Sequence, residues 1–178
     1  MINEAERVLF SEERITKRVE ELGAQIARDY AGTRPLLLGV LKGSFVFLAD
    51  LMRKVELSCD VQFIAASSYG NESETSGTVD IAKTLKFDIE NRDVIIVEDI
   101  LDTGVTLSAL KEYLKALKPS SVKICAFLDK TERRLAPISA EYVGFECPNA
   151  FVVGYGLDYA ERFRNLPYIA ILKPEVYS

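Results

Sequence analysis

The sequence contains no histidine in its 178 residues. Imidazole is thereby excluded as general base, metal ligand and physiological pH switch, and acid-base work falls to Asp, Glu, Lys or Tyr. Cysteine is scarce too. Cys59, Cys125 and Cys147 form no close pair and leave one over, which fits reduced thiols rather than a disulfide framework or a zinc site. Nor is there an excess of positive charge: 22 Lys and Arg against 27 Asp and Glu give a net charge of -5. That balance argues against bulk nucleic-acid binding, and an anionic ligand then needs a local site or a metal. Long uninterrupted apolar runs are also missing. The most apolar region, 35–55, is broken by Lys42, Asp50 and Arg53, and no N-terminal segment joins a basic flank to an apolar core. Neither a signal peptide nor a membrane span is expected, and a cytoplasmic location is.

What remains is a chain with 48% hydrophobic and 10% aromatic residues, enough for one sizeable core and a single domain over 1–178. Ser11 can cap a helix that opens with Glu12 and Glu13 and places Ile15, Val19, Leu22 and Ile26 on one face. Residues 36–41 read as a strand that breaks at Lys42-Gly43-Ser44, after which Phe45, Leu48, Leu51 and Met52 recur at helical spacing. A second strand over 61–66 opens into a polar, Gly- and Ser-rich stretch, 67–78, of the length found in functional lids or disordered loops. Further strands are expected over 79–87, 94–97, 122–128, 142–145 and 150–153, and Leu107, Leu110, Leu114 and Leu117 mark another helix. Strands alternating with helices imply right-handed crossovers and a mainly parallel α/β sheet.

In such a sheet the ligand crevice lies beyond the carboxyl ends of the strands. Lys42, Ser68, Glu98, Asp99, Asp102 and Lys130 all follow apolar runs. Any one of them reads as a solvated loop residue, but the six together read as a site. The segment Asp102-Thr103-Gly104-Val105-Thr106 joins a buried strand to a helix, where free amides, a permissive glycine and two hydroxyls can surround a phosphate at the positive end of the helix dipole. An ordinary capped turn would use the same residues. Glu98 and Asp99 tilt the balance, because strand alternation sends adjacent side chains to opposite sides, and carboxylates beside an apolar strand are costly unless hydrogen-bonded. Vicinal ribose hydroxyls or a hydrated Mg2+ would satisfy them.

The stretch "VIIVEDILDTGVTL" resembles the phosphoribosyl-diphosphate (PRPP) motif of the type I phosphoribosyltransferases. The resemblance extends through "LLLGVLKGSFVFLADL", "SSYGN", "FLDKT", "VGFECP" and "FVVGYGLDYAERFRNLPYI", and it is greatest to the bacterial members that act on hypoxanthine and guanine. It implies a mainly parallel central sheet flanked by helices, with a small hood formed from N- and C-terminal segments. It also implies Mg2+-dependent transfer of phosphoribosyl from PRPP to N9 of hypoxanthine or guanine, giving IMP or GMP and pyrophosphate. By resemblance, Glu98 and Asp99 hold the ribose, Asp102 to Thr106 hold the 5'-phosphate, and Asp102 is the general base. Leu41, Lys42, Gly43 and Arg164 would meet pyrophosphate, in relatives often across a non-proline cis peptide bond, with Ser68 and Tyr69 in a lid. Lys130 would donate to the 6-oxo group, Phe151 would stack on the purine, and backbone groups of Val152 and Asp158 would face its pyrimidine edge. Glu98, Asp99 and Asp158 are the implied Mg2+ ligands. Val105 stands at a position where some relatives carry a basic residue. The same resemblance implies a homodimer or homotetramer with no nucleic-acid or membrane partner. A xanthine-preferring transferase and a PRPP- or nucleotide-sensing RNA-binding regulator remain as alternatives on the same fold.

Overall fold

Alternation within the apolar runs decides the layering of the molecule. In the computed structural model, which describes residues 2–65 and 87–177, the chain order is β1 (Ala5–Phe10), α1 (Glu12–Asp29), β2 (Leu36–Leu41), α2 (Phe45–Met52), β3 (Asp60–Ala65), β4 (Asp93–Leu101), α3 (Val105–Ala116), β5 (Ser121–Asp129), β6 (Tyr142–Glu146), β7 (Val152–Val153), β8 (Ile169–Leu172) and α4 (Pro174–Tyr177). Strands β3-β2-β4-β5-β6 form one sheet in that order, every neighbouring pair parallel. Leu36, Leu38, Val94, Ile96, Ile124 and Ala126 turn to one face, where Leu107, Leu110 and Leu114 of α3 cover them. Leu37, Ile95, Val97, Cys125 and Phe127 turn to the other, against α1 and α2. Both faces are therefore buried, which is why these strands read as continuous apolar runs.

Helix α1 starts where its sequence says it should, with the Ser11 side chain accepting from Arg14 N at 3.4 Å and two glutamates in the first turn. Its Arg18 reaches across to β6, donating to the carbonyls of Gly144 at 2.9 Å and Val143 at 2.7 Å. The buried stripe Ile15, Val19, Leu22 and Ile26 faces the core as the spacing predicts.

A second, three-stranded sheet has the order β1-β8-β7, antiparallel throughout. It forms the small hood from N- and C-terminal segments. Three features differ from the sequence reading. The strand expected over 150–153 is only Val152–Val153 and pairs in the hood, outside the parallel sheet. Strands β1 and β8 were not expected at all, and β4 runs on past Val97 to Leu101, so that the acidic pair lies inside a strand. The expected strand over 79–87 and the loop with Ser68 and Tyr69 lie outside the described residues, apart from Phe87, which is not in a strand. Among the described residues no helix is long and apolar enough to cross a membrane.

Leu110 is fully buried between α3 and the sheet. Leu110→Ala should lower unfolding free energy by about 2–5 kcal/mol. Urea denaturation measures this, and a loss below about 1 kcal/mol would show that α3 does not depend on this contact.

Candidate active site

The strand order reverses direction between β2 and β4: from β2 the chain builds outward to β3, and from β4 to β5 and β6. Ligand crevices form at such switch points, beyond the carboxyl ends of the strands. The pairing of β2 with β4 ends at Gly39 and Val97, so the strands part just before the acidic pair. A crevice of about 700 Å³ opens there, lined by 40–43 after β2, 98–104 at the end of β4, Thr106 in α3, and Asp158, Glu161 and Arg164 from the segment before β8.

Glu98 and Asp99 are half-buried at the mouth of this crevice. Desolvation, followed by the charge of Asp99, pushes the Glu98 carboxyl well above its ordinary pKa. Desolvation also raises Asp99, opposed by hydrogen bonds from Glu98 and from the Ile100 amide, the latter at 2.9 Å, and by the positive charge of Arg164. Each carboxyl thus bears on the other's proton. Beyond Val97 the strand has lost its β2 neighbour, and its end is paired on the β5 side alone. Asp99 lies against Gly43, where any Cβ would overlap its carboxylate, so the turn after β2 needs glycine for this close approach.

The Leu41–Lys42 peptide bond is cis. Lys42 is exposed and its Nζ stands 3.1 Å from Glu161 Oε1. Arg164 Nη1 donates to the Gly156 carbonyl at 2.9 Å, Nη2 meets Asp158 Oδ1 at 2.8 Å, and its buried Nε has no hydrogen-bond partner among the described residues. Residues 102–106 form the tight turn expected: Gly104 takes φ +78° as the N-cap of α3, and Val105 begins the helix with its side chain exposed. Arg133 Nε is 3.3 Å from Asp102 Oδ1 but is not aligned as a hydrogen bond, leaving that buried oxygen without a hydrogen-bond partner among the described residues.

Two arginines that the sequence did not single out organise this turn. Arg134 donates from Nε to the Asp102 carbonyl at 3.0 Å and from Nη2 to the Leu101 carbonyl at 3.3 Å, and it also engages the Ile138 carbonyl and the Asp129 carboxylate. Leu135 and Ala136 amides meanwhile donate to the Thr103 carbonyl at 2.9 and 3.1 Å. Arg133 supplies the charge beside Asp102. Their only sequence signal was a basic pair following "FLDKT", which is indistinguishable from a solvated surface pair.

Of the residues that the resemblance places on the purine side, Asp158 lines that crevice, while Lys130, Phe151 and Val152 do not. Lys130 is buried, and its Nζ donates to the Ala150 carbonyl at 2.7 Å. Phe151 is 37% exposed, stacked on Tyr177 at 4.9 Å and edge-on to Tyr159 at 5.4 Å. Val152 is buried and paired with Ile171 in the hood. The three cysteines are free, and burial holds each thiol above its ordinary pKa, so none is poised as a nucleophile. Among the described residues no group of three or more Cys, Asp or Glu side chains is arranged to hold a metal ion on its own.

A phosphoribosyl transferase domain model matches residues 9–160. The hypoxanthine-guanine phosphoribosyltransferase of Bacillus subtilis is 52% identical over 178 residues, covering 100% of this chain and 99% of that protein. The enzyme of the same name from Streptococcus mutans is 50% identical over 172 residues, 97% of this chain and 96% of that one. The crystal structure of a hypoxanthine phosphoribosyltransferase from Staphylococcus aureus superposes with a TM-score of 0.93 at 49% identity, covering 99% of this chain and 96% of the other. A Bacillus anthracis hypoxanthine-guanine phosphoribosyltransferase, crystallised with HEPES in its active site, gives 0.89 at 48% identity over 96% of this chain and 100% of that one.

The raised acidic pair has a consequence for stability. Below the ordinary values, 4.5 for Glu98 and 3.8 for Asp99, each carboxyl is protonated in folded and unfolded chains alike; as pH climbs from there through the raised values, the folded protein must take on buried charge and loses stability. Glu98→Gln should therefore raise the Tm at pH 7 by about 2–4 °C. Melts between pH 8 and pH 4.5 should show that gain fading as the pH falls; a variant less stable than the parent at pH 7 would contradict the desolvation account.

Proposed function

This chain belongs to the phosphoribosyl transferase family, and from that membership and its crevice we infer that it is a hypoxanthine-guanine phosphoribosyltransferase of purine salvage. The observation that carries the reading is one crevice in which a desolvated acidic pair and a helix-capping turn converge on the Leu41–Lys42 bond. A sugar bearing a phosphate at one end and a diphosphate at the other matches those three neighbours.

In this reading the ribose hydroxyls donate to Glu98 and Asp99, which become satisfied acceptors in place of a mutually repelling pair. The 5'-phosphate takes the amides of 103–106, at the positive end of α3. Backbone amides of Leu41, Lys42 and Gly43, with the unpartnered Nε of Arg164, suit the diphosphate. As N9 attacks C1', the bond from C1' to the diphosphate oxygen breaks and pyrophosphate leaves with the electron pair. Asp102 accepts the purine N7 proton, a role that the unpartnered Oδ1 supports. Positive charge on the ribosyl ring then faces carboxylates, and negative charge on pyrophosphate faces cations.

Mg2+ fits this donor set. The ion is commonly held by one or two carboxylates plus substrate phosphate oxygens, and Glu98, Asp99 and Asp158 would supply the carboxylates. When bound it neutralises charge on the departing diphosphate. On the purine side, Lys130 has ammonium protons beyond the one given to Ala150, and one aimed at O6 favours hypoxanthine and guanine over adenine. Phe151 supplies a stacking surface, with backbone groups of Val152 and Asp158 toward the pyrimidine edge. The matched family region ends at 160, yet β8 at 169–172 closes the hood, so we take 1–178 as one domain. Free thiols suit a reducing cytoplasm, and exposed Phe45 and Met52 on α2 suit a homo-oligomer.

Incubation with PRPP, Mg2+ and either hypoxanthine or guanine should yield IMP or GMP; no nucleotide with either base would sink the reading. Asp102→Asn should lower kcat by about 10²- to 10⁴-fold while KM for PRPP stays close to the parent value. Steady-state kinetics with an unchanged kcat would remove Asp102 as the base.

A further inference from the structure

In the reading above the diphosphate meets the Lys42 amide and Arg164, and the Lys42 ammonium and Arg164 guanidinium at that end of the crevice already hold a carboxylate of the chain itself. Glu161 Oε1 stands 3.1 Å from Lys42 Nζ and 3.5 Å from Arg164 Nη2, and all three residues line the same crevice. The backbone aims it there. Ala160 and Glu161 take φ values of 51° and 60°, in the left-handed region that residues with a Cβ seldom occupy, and Glu161 N donates to Asp158 Oδ2 at 2.9 Å. A bridge between Tyr159 and Arg162 closes the turn. A side chain 119 positions away in sequence is thereby brought onto Lys42. The Lys42 hydrogen bond, then the charges of Lys42 and Arg164, hold the Glu161 carboxyl below its ordinary pKa, so it is ionised at neutral pH.

The Lys42 and Glu161 side chains are 69% and 68% exposed, and ion pairs so wet are weak. Weakness matters here, because a diphosphate with several negative charges can displace such a carboxylate, while a small anion of low charge competes with it on poorer terms. We propose that Glu161 is a specificity-determining residue of the diphosphate subsite. Its carboxylate competes with the incoming anion for Lys42 and Arg164, so that the subsite admits a diphosphate and discriminates against small anions such as inorganic phosphate, and it re-forms the ion pair as pyrophosphate departs. The proposal rests on the assignment of Lys42 to the diphosphate, and its test separates the two.

Initial rates of the full chain would be measured for Glu161→Gln, Glu161→Asp and Lys42→Ala. Glu161→Gln should lower KM for PRPP and the inhibition constant of pyrophosphate by about 1.5- to 5-fold, the size of one exposed ion pair, with KM for hypoxanthine unchanged. Inorganic phosphate should inhibit the Gln variant at lower concentration than the parent, and Glu161→Asp should lie between the two. An unchanged KM for PRPP would overturn the proposal, and a raised one would make Glu161 an aid to the substrate instead. Lys42→Ala should raise KM for PRPP. If it does and Glu161→Gln has no effect, the competition alone is refuted; if Lys42→Ala leaves KM for PRPP untouched, the Lys42 ammonium does not meet the diphosphate and the proposal falls, while the assignment of the 41–43 amides stands.

Discussion

Two half-buried carboxyls at the carboxyl end of β4 set the terms for the structure around them. Burial raises both, and Glu98 and Asp99 each bear on the other's proton. In the function proposed above, poorly solvated acceptors suit hydroxyls on an electron-poor sugar, because their attraction to developing positive charge is least screened. The surroundings are arranged to leave them in that state. Glycine at position 43 lets Asp99 approach the turn, and the nearest compensating cation acting on it, Arg164, is engaged by Asp158. The apolar sheet behind them, buried on both faces, supplies the stability that such a pair removes.

A second constraint is rigidity in the turn that follows. A phosphate-binding turn works through backbone amides, so its carbonyls must be tied elsewhere. Arg134 does this with a planar guanidinium that bonds the carbonyls of Leu101 and Asp102 at once, while Asp129 neutralises it from the end of β5. The amides of Leu135 and Ala136 take the Thr103 carbonyl. The turn is thus held from the segment after β5 and from α3.

How much of this was legible in the sequence follows from how local each feature is. Val94 to Val97 declared a buried strand because both faces are covered, and Ser11 with its glutamates declared a helix start because capping is local. Asp102 to Thr106 were readable for the same reason. Strand β1, written Ala-Glu-Arg-Val-Leu-Phe, was not, since its exposed side chains mask the pattern and its partner β8 lies at the other end of the chain. Arg134 was invisible because its partners are mostly carbonyls, which leave no mark on side-chain identity. Glu161 depends on left-handed backbone at two residues that carry a Cβ, which no propensity would assign.

The hood joins strands drawn from near both ends of the described chain, with β8 lying between β1 and β7 and the Leu172 amide bonded to the Phe151 carbonyl at 2.9 Å. The acidic pair, the phosphate turn and the Arg134 brace are all in place by residue 138. Synthesis runs from the amino end, so on a ribosome the sugar-phosphate half of the crevice is available for folding while the strand that fixes Phe151 is still inside the exit tunnel. The acidic pair and the 102–106 turn are thus synthesised well before β8, the strand that fixes Phe151 in the hood.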